Sequence, residues 1–380
     1  MSIYLDNAAT TPLSNEVYTQ MEPFIFNSFA NPSSTHTAGR NARYAVELSR
    51  KIIAEQLNTE AENIFFTSGG TEADNMAILS AINANNIQLV ITSKLEHHAV
   101  LNTLAKAESE GKVKLVFLEN DENGVVSLQQ LDSLLQASPQ ALISLMHANN
   151  EIGNINPIAD IADLADHYGA IFHCDTVQSL GHYHYNSKLL CPDYLIGSAH
   201  KFHGPKGIGF LYVREPKNLK SLINGGSQER GKRAGTENVC GIVGMAAALQ
   251  QAYDKLNEHE NHLKNIKTKL INGLSEIPGF FFNGLSGKVE ESLSTVLSVS
   301  VPQRLGNLLG ILDQAEIYAS GGSACSGNKP SHVISAISPQ LDQSVIRFSF
   351  SRYNTAFEIE EVISQIKHHF QSNASTLQYA

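Results

Sequence analysis

The residues best suited to chemistry lie in one short stretch, Ser198-Ala199-His200-Lys201-Phe202-His203-Gly204-Pro205-Lys206-Gly207. It is set between the apolar runs 194–197 and 208–213. A lysine between two strand-like runs is ordinarily a solvated surface group. The neighbours of Lys201 argue for more. Ser198 and His200 are compact donors able to hold an anion, and Gly204, Pro205 and Gly207 make a tight turn that lets backbone come close. A partly desolvated lysine amine is a nucleophile for an aldehyde, with which it forms a Schiff base. Pyridoxal 5′-phosphate (PLP) is such an aldehyde. It demands two further things, a cradle for its phosphate and a carboxylate for its ring nitrogen.

Both have candidates. The run Ile64-Phe65-Phe66-Thr67 ends in Ser68-Gly69-Gly70-Thr71 and gives way to a helical pattern over 76–84. Strand, glycine turn and helix start in that order aim backbone N–H groups and a positive dipole end at a phosphate. An ordinary helix cap by Ser68 or Thr71 is the plainer alternative. The strand-like run 170–175 ends in Asp175, with Gln178 close behind. An ionised aspartate there pairs with a protonated pyridine nitrogen and keeps the ring an electron sink; helix capping is again the alternative. His97 follows the run 89–93, where a histidine can stack on a ligand ring or move protons. Cys325 lies in a glycine–serine stretch, 319–327, unlike a packed core cysteine, and is expected to be mobile, exposed and able to act as a nucleophile. Arg347, on the alternating run 345–350, can clamp a carboxylate with two hydrogen bonds. A surface ion pair is the commoner fate of one arginine.

These groups need a scaffold, and the pattern between 63 and 213 supplies one. Strand-like runs at 63–66, 89–93, 141–146, 170–175 and 208–213 alternate with helical spacing, which predicts a doubly wound, mostly parallel sheet. A helix is expected over 38–57 after the polar loop 31–36, and another opens at Pro157, runs through Ala165 and is closed by Gly169. Residues 3–11 read as a short strand and turn ended by Pro12. The stretch 224–238 is a long glycine- and charge-rich loop. Helical runs follow at 239–249 and 256–274, and a domain boundary falls near Asp254. The last third holds a strand-like run at 293–301 and a helix near Leu308.

Composition narrows the classes. The chain has 380 residues, 42% hydrophobic and 17% charged, as in an ordinary soluble globular protein large enough for two domains. Against 27 Lys and Arg stand 37 Asp and Glu, a net charge of −10 with no long basic run, which argues against nucleic acid as a partner. No apolar run approaches the roughly 20 residues of a membrane helix, and the N-terminus has no export-signal pattern. Cys174, Cys191, Cys240 and Cys325 are scattered without CxxC pairing, so neither a disulfide framework nor a resident metal site is expected and a reducing cytoplasm fits. The segment 365–380 reads equally as a docking surface or a solvated helix end.

Taken together the motifs resemble one family, the PLP-dependent cysteine desulfurases of the NifS/IscS type within the class V aminotransferases. The resemblance covers nearly the whole chain. Tyr4-Leu5-Asp6-Asn7-Ala8-Ala9-Thr10-Thr11, Ser68-Gly69-Gly70-Thr71-Glu72, Glu96-His97, Asn149-Asn150-Glu151-Ile152-Gly153, Ser198-Ala199-His200-Lys201, Arg233-Ala234-Gly235-Thr236-Glu237-Asn238, Ser323-Ala324-Cys325 and Arg347-Phe348-Ser349 stand in family order. Each motif is weak alone; their ordered coincidence is specific. The resemblance implies a fold-type I α/β enzyme: a large PLP-binding domain (15–254) with a mostly parallel seven-stranded sheet, and a smaller α+β domain (1–14 and 255–380) carrying the catalytic-cysteine loop.

It also implies roles. Lys201 is the Schiff-base lysine; Gly70, Thr71, Ser198 and His200 hold the phosphate, with Thr236 supplied by the partner subunit of a homodimer. Asp175 pairs with the ring nitrogen, Gln178 and Asn150 lie on the ring-oxygen side, and His97 stacks on the ring. Arg347 clamps the substrate carboxylate with Asn31 nearby, and Cys325 forms the persulfide, a transient iron–sulfur contact there being left open. The implied reaction turns L-cysteine into L-alanine and passes sulfur through Cys325 to an acceptor or scaffold protein, for iron–sulfur cluster assembly or tRNA thiolation. Selenocysteine lyase, another class V aminotransferase-type activity, or a non-catalytic sulfur-delivery partner are the alternatives. Ser326-Gly327-Asn328-Lys329 and the segment leading to Arg347 depart from the housekeeping IscS pattern, which bears on the acceptor.

Overall fold

A computed structural model describes residues 2–190, 192–301, 307–321, 331–338 and 344–377. In chain order the elements are β1 (Ile3–Tyr4), α1 (Asn15–Phe26), α2 (Thr37–Gln56), β2 (Ile64–Thr67), α3 (Gly70–Asn85), β3 (Leu89–Ser93), α4 (His98–Ser109), β4 (Lys114–Leu118), α5 (Leu128–Ala137), β5 (Ala141–Ser144), α6 (Ile158–Tyr168), β6 (Ile171–Asp175), α7 (Ser187–Leu190), β7 (Tyr194–Ser198) and β8 (Gly209–Val213). They continue with α8 (Val239–Asp254), α9 (Leu256–Ser275), β9 (Phe281–Phe282), β10 (Val296–Val301), α10 (Leu308–Gln314), β11 (Ile317–Tyr318), α11 (His332–Ile337), β12 (Ser344–Ser349) and α12 (Ala356–Leu377).

Seven strands form one sheet in the order β2-β8-β7-β6-β5-β3-β4. All run parallel except β8, which pairs antiparallel with both β2 and β7. Alternate side chains along each strand leave by opposite faces, and both faces are apolar. Ile91, Ile143, Phe172, Leu195 and Phe210 bury against α1, α2, α5, α6 and α8, whereas Val90, Leu142, Tyr194, Ile196 and Leu211 bury against α3 and α4. This is the three-layer sandwich expected of a doubly wound fold. Because β2 is parallel to β7 and β6, the C-terminal ends of β2, β3, β5, β6 and β7 open along one edge, where such sheets bind ligands.

The rest packs as a second core. β10 pairs antiparallel with β12 and β9, and Leu297, Val299, Ile346 and Phe348 bury with Leu263, Leu270 and Leu274 of α9 and Ile359 and Val362 of α12. The start of the chain belongs with this core: β1 pairs in parallel with β11, and Ile3 and Leu5 are buried there.

Several boundaries differ from the sequence reading. α3 begins at Gly70, six residues before the 76–84 pattern, because Gly70, Thr71 and Glu72 form its first turn on the cradle side, where apolar spacing has not begun. β4 was not anticipated; its burial is partial, as suits an edge strand. β5 stops at Ser144 rather than 146, and β10 starts at Val296 rather than 293, since the flanking residues turn into loops.

The loop 224–238 is tied to this frame by a buried ion pair. Arg50 donates from both terminal nitrogens to Glu229 at 2.8 Å, and Glu229 also accepts the Phe66 N–H at 2.8 Å. Both side chains are 3% exposed. Glu229 and Arg230 hold positive φ angles of 46° and 57°, a conformation costly for residues with a Cβ that these contacts maintain. Without Glu229 the buried Arg50 keeps the half-exposed Glu47, at 3.1 Å, and the Ile64 carbonyl as partners, so Glu229→Ala is expected to lower the unfolding free energy by about 3 kcal/mol in urea denaturation, the low end for a broken buried pair. A loss below about 1 kcal/mol, the worth of an exposed pair, contradicts this account.

Candidate active site

The C-terminal edge of the sheet encloses a cavity of about 220 Å³ whose lining includes Ala8, Ala9, Gly70, Thr71, Asp74, His97, Met146, Asn150, Asp175, Gln178, Ser198, His200, Lys201 and Arg347. Lys201 follows β7 in a single helical turn, and its Nζ donates to the carbonyl oxygens of Ala8 at 2.5 Å and Ala9 at 3.0 Å. Residues 4–11 are thus a strap over the lysine. The strap is laced to β12 through Asn7 Nδ2 on Ser349 O (2.9 Å) and the Ala8 N–H on Ser349 Oγ (2.9 Å). It is laced to the lysine turn through Thr11 Oγ1 on His200 O (2.9 Å).

Asp175 ends β6 and is 7% exposed. Burial pushes its carboxyl up to about 6, against the opposing effects of the Val177 N–H, which donates at 2.9 Å, and the Lys201 ammonium. A buried carboxylate so raised gains from any cation brought close to it. His97 caps α4, its Nδ1 accepting the Ala99 N–H at 3.1 Å, which leaves the ring proton on Nε2. Burial, then Lys201, pull its pKa down to about 4, so it faces the cavity as a neutral flat ring. His200 is likewise lowered to about 4, first by burial, and its Nδ1 lies 3.1 Å from Thr10 Oγ1.

A shallower pocket adjoins the cavity and shares Gly70, Thr71, Ser198 and His200 with it, adding Thr10, Ser68, Gly69, Glu72, Lys206 and Gly207. It lies at the N-terminus of α3, whose first N–H groups have no intrahelical acceptor. A Cβ at Gly70 would stand 2.8 Å from Val177 Cγ2, so a side chain there would push the helix start off the sheet edge. Glu72 in the same turn is neutralised by Arg233, whose Nε donates at 2.8 Å.

Arg347 is 2% exposed, so it is not the surface ion pair that its type makes common. Its Nη1 donates to Asn150 O at 2.8 Å, and its Nη2 to Asp6 Oδ1 and Ser320 Oγ, each at 2.9 Å. Its Nε has no hydrogen-bond partner among the described residues. Nε is enclosed, so an anion entering the cavity is met by the terminal nitrogens in exchange for one of their present acceptors.

The fold therefore brings together Gly70, Thr71, His97, Asn150, Asp175, Gln178, Ser198, His200, Lys201 and Arg347. Asn31 is not among them: it is exposed, and its side chain accepts the Ser33 N–H at 2.8 Å in its own turn. Thr236 is exposed on the 224–238 loop, away from the cavity lining. Cys325 lies outside the described residues. The described ends flanking it are anchored near the cavity, Ser320 by paired backbone hydrogen bonds to Arg347, Ser331 by its hydroxyl on Glu151, and His332 by Nε2 on Glu96 O at 3.0 Å. Sequence reasoning missed the Ala8 and Ala9 carbonyls, Thr10 and Asp74. The carbonyls carry no residue-type signal, and Asp74 falls in the polar stretch before the helical pattern at 76–84.

Neutral ring, buried acid, amine and anion cradle around one cavity form a donor set fitted to a planar aldehyde with a basic ring nitrogen and an anionic tail. The aminotransferase class-V family model matches residues 3–362. The chain belongs to the class-V aminotransferase family. It is 40% identical over 372 residues to a cysteine desulfurase IscS of Methanosarcina thermophila, covering 96% of this chain and 91% of that protein. A solved structure described as a NIFS-like protein superposes with a TM-score of 0.88 at 34% identity over 100% of both chains. The structure of SspA in complex with cysteine superposes with a TM-score of 0.77 at 32% identity, over 93% of this chain and 100% of that one.

The raised pKa of Asp175 makes the stability of the protein without ligand depend on pH. Folded, the group keeps its proton to about pH 6; unfolded, it releases it near pH 3.9. The folded state binds more protons between these values, so the stability this group supplies is present at the acid end and lost as pH rises through about 6. Asp175→Asn should therefore be more stable than the wild-type apoprotein at pH 8, by up to about 3 kcal/mol, and equal to it near pH 4. Denaturation curves of both proteins across pH 4–8 measure this, and parallel curves refute it.

Proposed function

We propose that the protein is a PLP-dependent cysteine desulfurase, converting L-cysteine to L-alanine and taking the sulfur as a persulfide on Cys325. The observation that carries this reading is the half-buried Lys201 amine sharing a cavity with the buried Asp175 carboxyl, with an anion cradle at one end. Bound there, PLP supplies an electrophilic carbon and an electron-poor ring able to take up negative charge. Lys201 would hold the aldehyde carbon, and its Nζ would be the base for the substrate α-proton. Asp175 would hold a proton on the ring nitrogen, His97 would cover a ring face, and Gln178 and Asn150 would serve its oxygen side. The N–H groups of the first turn of α3, with Thr71, Ser198 and His200, hold the phosphate.

Arg347 binds the substrate carboxylate, its terminal nitrogens exchanging a present acceptor for it; Asn31 has no support from the geometry as a second clamp within one chain. In the sulfur step the Cys325 thiolate attacks the substrate sulfur, an S–S bond forms and the Cβ–S bond breaks. The sum is L-cysteine plus enzyme thiol giving alanine plus enzyme persulfide. The described residues on either side support this assignment, because Ser320 is bonded to Arg347 of the cavity lining and Ser331 to Glu151, next to Asn150. Thr236, exposed on a clamped loop, suits a homodimer in which each chain completes its partner's cradle. Residues 15–254 then form the cofactor-binding domain, with 1–14 and 255–380 the smaller one. The persulfide passes to an acceptor protein, and no described helix is long and apolar enough to cross a membrane, in keeping with cytoplasmic work.

Purified protein is expected to be yellow and to form alanine from L-cysteine. Lys201→Ala should lose both the visible band and alanine formation. Cys325→Ser should keep the band and its change on L-cysteine addition yet form no protein-bound persulfide, as read by intact-protein mass after alkylation. Full sulfur release by Cys325→Ser would overturn the assignment of the nucleophile. A colourless wild-type protein after incubation with PLP would overturn the whole reading.

A further inference from the structure

Asp74 has no part in the chemistry above, yet it lines the cavity, on α3, 1% exposed. Its Oδ1 lies 3.2 Å from Nε2 of His173, which is fully buried on β6 two residues before Asp175. The other ring nitrogen, Nδ1, is 2.9 Å from Ser144 Oγ on β5. Among the described residues Asp74 Oδ1 and His173 Nε2 are both buried without a hydrogen-bond partner as placed, each other included, so that their 3.2 Å approach leaves two orphaned polar atoms facing one another. The charges facing this pair are the carboxyls of Asp175 and Glu96; the Cys174 thiol is buried beside them, and Lys201 acts on Asp175.

Three buried carboxyls so close cannot all be ionised. Asp175 is favoured as the anion, because it has the Lys201 ammonium and the Val177 N–H. Glu96 takes the Met146 N–H at 2.9 Å. Asp74 is pushed well above the usual carboxylate range by burial and then by Asp175 and Glu96. Burial holds His173 down to about 3, so the imidazole does not take the proton from it.

We propose that Asp74 is a positioning residue of this site, a carboxylic acid that keeps its proton, donates it in a hydrogen bond to His173 Nε2, and leaves Asp175 as the anion on the cavity floor. The bond fixes the His173 tautomer, with its proton on Nδ1 directed at Ser144 Oγ. His173 and Asp175 leave the same face of β6, so the ring held by Asp74 braces the strand end that carries Asp175. An ionised Asp74 would instead add a second negative charge beside Asp175 and raise it further.

The proposal rests on Asp175 as the ring-nitrogen partner, and its test separates the two. Infrared spectra of wild type and Asp74→Asn, each with aspartate carboxyl carbons labelled so that Glu96 is silent, read protonation with or without cofactor. A neutral-acid carbonyl band at pH 8 that disappears in Asp74→Asn is expected; its absence from the wild type overturns the proposal whatever becomes of the cofactor. In the PLP-loaded protein, Asp74→Asn, neutral and still a donor, should titrate its visible band as the wild type does. A displaced midpoint means Asp74 was the anion. Asp74→Leu, which cannot donate, should raise the PLP concentration for half-reconstitution about tenfold, the cost of stranding a buried polar partner. If Asp74→Leu reconstitutes like the wild type, Asp74 positions nothing.

Discussion

The Lys201 ammonium is held inside the cavity by two backbone carbonyls, those of Ala8 and Ala9, from the far end of the chain. An amine in such a place loses much of its hydration, and the carbonyls return hydrogen bonds without adding a full negative charge. The balancing anion stands across the cavity as Asp175, itself raised by burial. Two groups kept apart in a poorly solvated space are each prepared for a ligand that brings the missing counterpart, an aldehyde for one and a ring cation for the other. The remaining features of the site serve this separation. The strap of residues 4–11 keeps the lysine turned inward, and its lacing to Ser349 and His200 joins the second core to the sheet edge.

The same strap explains how Arg347 comes to be buried. β12 presents it toward the cavity, and Asp6, from the strap, takes one of its donors together with Ser320. A buried guanidinium must be paired, and acceptors drawn from three separate segments take its terminal nitrogens, while Nε is enclosed without a partner among the described residues. The anion-binding power of the site is therefore divided. Helix dipole and hydroxyls serve one end, a guanidinium the other, and the acid of the ring partner lies between. That arrangement suits a cofactor with an anionic tail and a substrate with a carboxylate.

Much of this was legible in the sequence because it is local. Ser198 to Gly207 and Ser68 to Thr71 each write a strand, a turn and a donor set into consecutive residues. Asp175 and His97 follow apolar runs whose ends could be read. What was not legible is what depends on tertiary approach. Nothing in Ala8 or Ala9 signals that their carbonyls will meet a lysine nearly 200 positions away. Asp74 falls before the helical pattern at 76–84, and only when α3 is seen to start at Gly70 does that position turn onto the sheet. Arg347 has the alternating pattern of any edge strand, and only the strap buries it. Thr236 and Asn31 stand away from the cavity within a single chain, where no spacing rule could place them.

The central claim is that the Lys201 amine carries the cofactor aldehyde. Borohydride reduction of the PLP-loaded protein fixes such a linkage, and peptide mass mapping then locates it. The account predicts the pyridoxyl mass on the peptide containing Lys201 and on no other lysine. A label on a different lysine, or none on a protein that is visibly yellow, would contradict it.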